Sequence, residues 1–349
     1  MISQCWLHIG TEKTGSTSIQ AFLAQNRPVL LSRGWLYPNS AGRTKQYSLA
    51  AFALDDHRSD RVRRLLGAGQ RLGVDEFRRR LSDSLKAEAA ASGARAMVLS
   101  SELLSTQLRR PGEIAHLKSL CDALAQETKV VVYLRNQADF LVSRYTNVIW
   151  EGGTADFGFR ARAAIADYAL LLERWSHVFG RTNMIVRRFE PMQFVGDDVV
   201  EDFAQTIGLD MRGLRRPARS NPSLDAQSLA FLRAVNRQLP PHVAKHVDRF
   251  RGALVRVLQR RGGTKFVITR ALAERIESAY RDSNARVSAE YFGSRSQPLF
   301  SPPVLVSRDV TASPNRLDPI TATRIAGFLA LGLLRDGVLW AARRLNHVQ

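Results

Sequence analysis

The run Lys129–Leu134 (KVVVYL) does most to limit the folds open to this chain. It is β-branched and continuously apolar, so both of its faces need cover, as in a central strand of a parallel sheet. Shorter strand patterns stand at Cys5–Ile9, at Ala96–Ser100 (AMVLS) and at Met184–Arg188. Helical patterns lie between and beyond them, at Ser16–Leu23, Glu113–Gln126, Ala138 to Trp150, and Val199–Ile207, which Gly208 closes. Strands alternating with helices predict an α/β fold: a doubly wound parallel sheet with helices on both faces.

The chain has 349 residues, 45% of them hydrophobic, enough for one large α/β domain with helical additions. Between Arg58 and Ala91, Val62, Leu65, Leu66, Phe77, Leu81 and Leu85 recur at helical spacing among charges, predicting one or two exposed amphipathic helices. After Gly208 the character changes. Arg212–Pro222 is a connector rich in arginine and proline, and helical segments follow at Asp225–Gln238 and Ala271–Tyr291. A proline-containing stretch, Pro298–Pro319, precedes a last amphipathic helix over Thr321–Leu345. The expected organisation is an α/β core over 1–210 and a mainly helical region over 211–349, packed on the core. The last helix is expected to dock on the parent domain, with peripheral membrane contact as the alternative.

The segment His8-Ile9-Gly10-Thr11-Glu12-Lys13-Thr14-Gly15-Ser16-Thr17-Ser18 places a tight glycine-containing loop between the first strand and the first helix. Successive amides and a helix N-terminus there favour an anion. Thr14, Ser16, Thr17 and Ser18 carry hydroxyls able to reach phosphate oxygens, Gly15 allows close approach, and Lys13 supplies a mobile charge. A plain βα turn is the alternative. The NTPase pattern G-x-x-x-x-G-K-[ST] puts lysine after the second glycine. Here Lys13 precedes Gly15, and KVVVYL runs into Arg135 rather than a magnesium-binding aspartate.

Two further elements sit at expected strand ends, where an α/β sheet gathers ligand-binding side chains. Arg135 follows KVVVYL, and Ser143 lies eight residues on. Together they suit a second phosphate, unless the arginine serves a structural carboxylate pair. Ser100-Ser101-Glu102 follows AMVLS. Glu102 there suits acceptance of a proton from an attacking hydroxyl, with helix capping as the alternative.

Taken together, these residues resemble the family of sulfotransferases that use 3′-phosphoadenosine-5′-phosphosulfate (PAPS). KTGST (Lys13–Thr17) is similar to that family's 5′-phosphosulfate loop, and YLRNQADFLVSRY (Tyr133–Tyr145) to its 3′-phosphate element. FEPMQF (Phe189–Phe194) with DDVVEDFAQTIGL (Asp197–Leu209) is similar to the segment after its later strand. The opening resembles bacterial members beginning HIGxxKTGTTSIQ, which are associated with sulfating saccharides. The likeness runs over the first 210 residues and implies a phosphate-loop NTPase-like fold with its nucleotide-binding core over 1–210, the helical region 211–349 completing an acceptor cleft. Ser16 stands where threonine is commoner, and Glu102 stands where many relatives carry a catalytic histidine. Carbohydrate and protein-tyrosine members use glutamate there. Arg260-Arg261-Gly262 is similar to the family's basic loop over the 3′-phosphate.

The resemblance implies transfer of a sulfuryl group from PAPS to a hydroxyl of a saccharide or glycolipid, releasing adenosine 3′,5′-bisphosphate without a metal. Lys13 and Glu102 would be catalytic. Lys13, Thr14, Gly15, Ser16, Thr17 and Ser18 would hold the phosphosulfate, and Arg135 with Ser143 the 3′-phosphate. His8 and Glu12 are the other candidate bases. The charge of +19, from 51 Lys+Arg against 32 Asp+Glu, favours polyanionic partners. An ATP-dependent kinase is one rival. A nucleic-acid-binding protein is another, from the clusters Arg58–Arg64, Arg78–Arg80 and Arg212–Arg219. No nucleic-acid-binding module is recognisable, so no specific nucleic-acid partner is expected. Two cysteines, Cys5 and Cys121, without metal-ligand spacing, and no recognisable signal peptide point to a cytoplasmic protein. The apolar stretch Ile325–Leu334 meets Arg335 and Asp336 too soon to span a membrane.

Overall fold

The computed structural model describes residues 1–58, 73–159, 164–217, 224–239, 244–294, 296–304, 317 and 319–330. Val62, Leu65 and Leu66 of the expected exposed helices lie outside the described residues, as does the end of the last helix beyond residue 330. In chain order the elements are β1 (Ile2–His8), α1 (Ser16–Gln25), α2 (Arg27–Ser32), β2 (Trp35–Leu36), α3 (Ser48–Ala53), α4 (Val74–Ser92) and β3 (Ala96–Ser100). Then come α5 (Leu103–Gln107), α6 (Pro111–Leu124), β4 (Ala125–Leu134), α7 (Gln137–Trp150), α8 (Tyr168–Phe179), β5 (Met184–Arg188) and α9 (Val199–Ile207). α10 (Ala226–Gln238), α11 (Ala244–Leu258), α12 (Arg270–Ala279) and α13 (Arg281–Phe292) follow, and residues 319–330 are also helical. The chain divides into two compact units, neither of them a single stretch. The first is Met1–Asn136, Arg162–Ser220 and Tyr280–Ser301, and the second is Gln137–Ala161, Asn221–Ala279 and Pro302–Gln349.

The first unit holds a five-stranded sheet in the order β2-β3-β1-β4-β5. Every pairing is parallel, with Leu7 of β1 opposite Leu99 of β3 on one side and Val130 of β4 on the other. β4 explains its own lack of alternation. Val130, Val132 and Leu134 join Cys5, Leu7, Met97 and Leu99 in a core closed by α6 and α8 (Ile114, Leu117, Leu172, Trp175). Val131 and Tyr133 join Val98 on the other face, under Ile19 and Phe22 of α1 and Val200 and Phe203 of α9. Each such side chain contributes about 1.5–3 kcal/mol when fully buried. This is the doubly wound α/β architecture that the strand pattern predicts.

Some boundaries move. The expected helix to Gln126 stops at Leu124, because 125–128 pair instead with β1, Ile2 opposite Ala125 and Gln4 opposite Glu127. The ladder gives those backbone groups partners at the point where the helix ends. The expected helix Ala271–Tyr291 is two, broken at Tyr280. α13 belongs with the first unit, where Ser283 Oγ bridges the α8 cap, donating to Asp167 at 2.8 Å and accepting from the Ala169 amide at 3.0 Å. β2, α2, α3, α5, α8 and α11 are additional to the sequence expectation.

In the second unit, Asn236 of α10 donates to the carbonyls of Ile149 (2.8 Å) and Gly153 (3.0 Å). That supplies partners at the C-terminal end of α7, where a helix leaves carbonyls unmatched. Asp225 caps α10 by accepting from the amides of Gln227 and Ser228, both at 3.0 Å.

Candidate active site

The loop after β1 is tied to the end of β4. Tyr133 N–H donates to the Gly10 carbonyl at 2.7 Å, while the amide and hydroxyl of Thr11 both donate to the Tyr133 carbonyl at 3.1 Å. The Thr14 and Ser16 hydroxyls are turned inward, donating to the Thr11 carbonyl at 2.7 and 3.1 Å. They stiffen the loop, whereas Thr17 is exposed and Ser18 half-buried at the start of α1. The amides of Gly15, Ser16 and Thr17 have no acceptor among the described residues. With the helix dipole behind them, they form an end that favours negative charge.

Gly15 sits at φ 78°, and a Cβ there would stand 2.7 Å from Cγ1 of Val199 at the start of α9. The residue is thus required by close packing as well as by its left-handed backbone. Lys13, which is not glycine, also has positive φ, 64°. An L-residue there carries a cost on the order of 1 kcal/mol, the kind of strain found at functional loops.

Arg135 comes to this loop from the end of β4. Its Nη1 donates to the Lys13 carbonyl at 3.0 Å, and its guanidinium carbon lies 5.5 Å from the centre of the Phe189 ring. Tyr168 Oη holds the Arg135 carbonyl at 2.6 Å. The cation is thereby fixed beside the backbone of the loop lysine.

Glu102 follows β3 and makes no side-chain cap to α5, so the helix-capping alternative is not what the structure contains. Its Oε2 accepts from Gln20 Nε2 at 2.8 Å, and its Oε1 from Tyr47 Oη at 3.0 Å. A Cβ on Gly10 would lie 3.2 Å from the Glu102 Cα, so the loop after β1 and the backbone of Glu102 are in direct contact. Lys13, Arg135 and Glu102 thus gather at the carboxyl ends of β1, β4 and β3.

His8 is a different case. It is fully buried between Tyr133 and Phe203, with Nδ1 2.8 Å from Ser100 Oγ. Desolvation lowers its pKa to about 3, so it is a neutral core residue rather than an accessible base. Glu12 is half-buried in the loop. Ser143 stands on α7 in the second unit, half-buried. Arg261, also in the second unit, donates to Asp225 Oδ1 (3.1 Å) and Ser228 Oγ (3.3 Å).

Several surface arginines are bound within the chain. Arg78 donates to the carbonyls of Phe52 and Leu54, both at 2.9 Å, and Arg79 and Arg80 pair with Glu76. Among the described residues, no group of three or more His, Cys, Asp or Glu is placed to hold a metal ion. No described helix is long and apolar enough to cross a membrane. Sequence patterns did not single out Gln20, Tyr47 or Thr11, because their roles come from contacts made across 82, 55 and 122 residues of chain respectively.

Fold and site together define a doubly wound α/β protein with an anion-favouring loop between its first strand and first helix. No protein-family model matches the sequence. An uncharacterized protein of Archaeoglobus fulgidus is 31% identical over 183 residues, covering 50% of this chain and 48% of that one. The chain therefore spans about half the length of the relative it matches. Among solved structures, a sulfotransferase from Alicyclobacillus acidocaldarius matches 66% of this chain and 91% of its own at 19% identity, with a TM-score of 0.39.

Proposed function

We propose that this protein transfers a sulfuryl group from PAPS to a hydroxyl of a saccharide or glycolipid. The observation that carries the reading is the bond from Arg135 to the Lys13 carbonyl, with Glu102 against the same loop. On this reading Lys13 would meet the sulfated 5′-phosphate at the start of α1, and Arg135 a further phosphate beyond β4. The donor set fits such a ligand: three amides without acceptors, a lysine and a forked guanidinium. Assignment of Ser143 to the 3′-phosphate rests on its sequence spacing from Arg135.

In the reaction, the acceptor oxygen forms a bond to sulfur as sulfur's bond to the phosphate bridging oxygen breaks. Glu102 takes the hydroxyl proton, and adenosine 3′,5′-bisphosphate leaves with the bond's electron pair. Lys13 and the α1 amides stabilise the negative charge gathering on that oxygen. Charge stabilisation and positioning carry such transfers, as they do phosphoryl transfer. A cytoplasmic setting suits the two cysteines, both free and buried.

Calorimetric titration with adenosine 3′,5′-bisphosphate, with ADP as control, tests the donor. Binding at least about tenfold tighter for the 3′-phosphorylated nucleotide is expected, a difference of about 1.4 kcal/mol. Equal affinity, or a preference for ADP with magnesium, defeats the reading in favour of a kinase. Transfer of radiolabelled sulfate from PAPS to a saccharide and glycolipid panel then tests the acceptor.

A further inference from the structure

The carboxylate of Glu102 is gripped at both oxygens by groups from two other parts of the first unit. Gln20, on α1, is fully buried and points Nε2 at both Glu102 Oε2 (2.8 Å) and the Ser100 carbonyl (3.4 Å). Two acceptors on one side settle the orientation of its amide, since the flipped form would set oxygen against oxygen. Its Oε1 is then buried without a hydrogen-bond partner. An orphaned buried oxygen costs about 1–3 kcal/mol, which an apolar residue of the same size would avoid. Packing alone therefore does not account for a carboxamide at this position.

Tyr47 supplies the other donor, and the loop that carries it is braced. Buried Gln46 donates to the Pro38 carbonyl (2.9 Å) and accepts from the Ser100 amide (2.8 Å), tying the loop to the strand end that precedes Glu102. Tyr37 Oη holds the Thr44 carbonyl at 2.6 Å, and Arg27 Nε holds the Tyr37 carbonyl at 2.7 Å. A tyrosine hydroxyl fixed in this way can be aimed at one carboxylate oxygen with little loss of freedom.

We propose that Gln20 and Tyr47 are positioning residues, each holding one oxygen of Glu102 so that a remaining lone pair stays directed at the acceptor hydroxyl. The assignment rests on the sulfuryl-transfer reading. It adds that α1 does two tasks: its first turn faces the donor anion, and its second turn orients the base. A rigid helix between them fixes the distance from donor to base.

The test uses the full chain with PAPS and whichever panel saccharide it sulfates, comparing Tyr47→Phe and Gln20→Met with the unmodified protein. Gln20→Met keeps the buried volume, and Tyr47→Phe removes one oxygen only, so folding is guarded and checked by thermal melting. Each variant is expected to lose about tenfold to a hundredfold in kcat, the scale of a misplaced reacting group. Affinity for adenosine 3′,5′-bisphosphate should stay within about twofold, a kcat-specific loss that general loosening would not give. In a Glu102→Gln background the same substitutions should change kcat by less than about twofold, since residues acting through one group are not additive. Full kcat in both variants, or equal losses with and without Glu102, overturns the positioning role while leaving sulfuryl transfer standing. Absence of transfer by the unmodified chain overturns both.

Discussion

Gly15→Ala is a perturbation whose size follows from the geometry of the loop. The residue sits at φ 78°, and an added Cβ would stand 2.7 Å from Val199 Cγ1 and 3.2 Å from its Cγ2. Left-handed backbone costs an L-residue about 1–2 kcal/mol. The overlap adds about 1–3 kcal/mol, because carbon atoms rest about 3.5–4.0 Å apart and one neighbour has to move. Val199 is β-branched and cannot easily turn away, and the start of α9 is pinned by Asp198, which accepts from the Val200 amide at 2.7 Å. The expected loss is therefore about 2–5 kcal/mol, read as a fall in the urea midpoint at unchanged slope. Val199→Ala removes the obstructing methyl groups, so the double variant should recover the overlap share and keep the backbone share. A double-mutant cycle should give a coupling of about 1–3 kcal/mol. A cost for Gly15→Ala below about 0.5 kcal/mol, or no recovery in the double variant, would refute the packing argument.

Other consequences are equally direct. Lys13→Ala should lower kcat by about a hundredfold, as expected for loss of an electrostatic stabiliser, measured at saturating PAPS. Arg135→Ala should weaken adenosine 3′,5′-bisphosphate at least about tenfold by calorimetry, and Arg135→Lys should not restore it, because a point charge lacks the fork. His8 is neutral in the fold down to about pH 3, whereas an unfolded histidine takes up its proton near pH 6.5. Between those values only the unfolded chain is protonated at this site, so stability falls as pH is lowered through the window, by up to about 1.4 kcal/mol per unit. His8→Gln, which does not ionise, should flatten that part of a stability–pH curve; an unchanged slope would mean that His8 is not the group responsible.

The α/β class, the parallel sheet and the glycine-punctuated loop between β1 and α1 were legible in local sequence. A continuous β-branched run such as KVVVYL needs cover on both faces, and a glycine-punctuated turn into a helix presents amides whatever else surrounds it. Val199–Ile207 likewise declared its C-terminal end through Gly208, which takes the left-handed region. Lys13, Glu102 and Arg135 stood at strand ends by pattern alone. Tertiary structure decided the rest. Strand order placed β1 between β3 and β4, which is why Glu102 and Arg135 border the same loop. Contact made the Thr14 and Ser16 hydroxyls into loop braces and sealed His8 in the core. Gln20 and Tyr47 became partners of Glu102, and no sequence period encodes that pairing. Periodicity reports which face of an element is buried, but a hydrogen bond between residues 82 apart depends on how the whole sheet is wound.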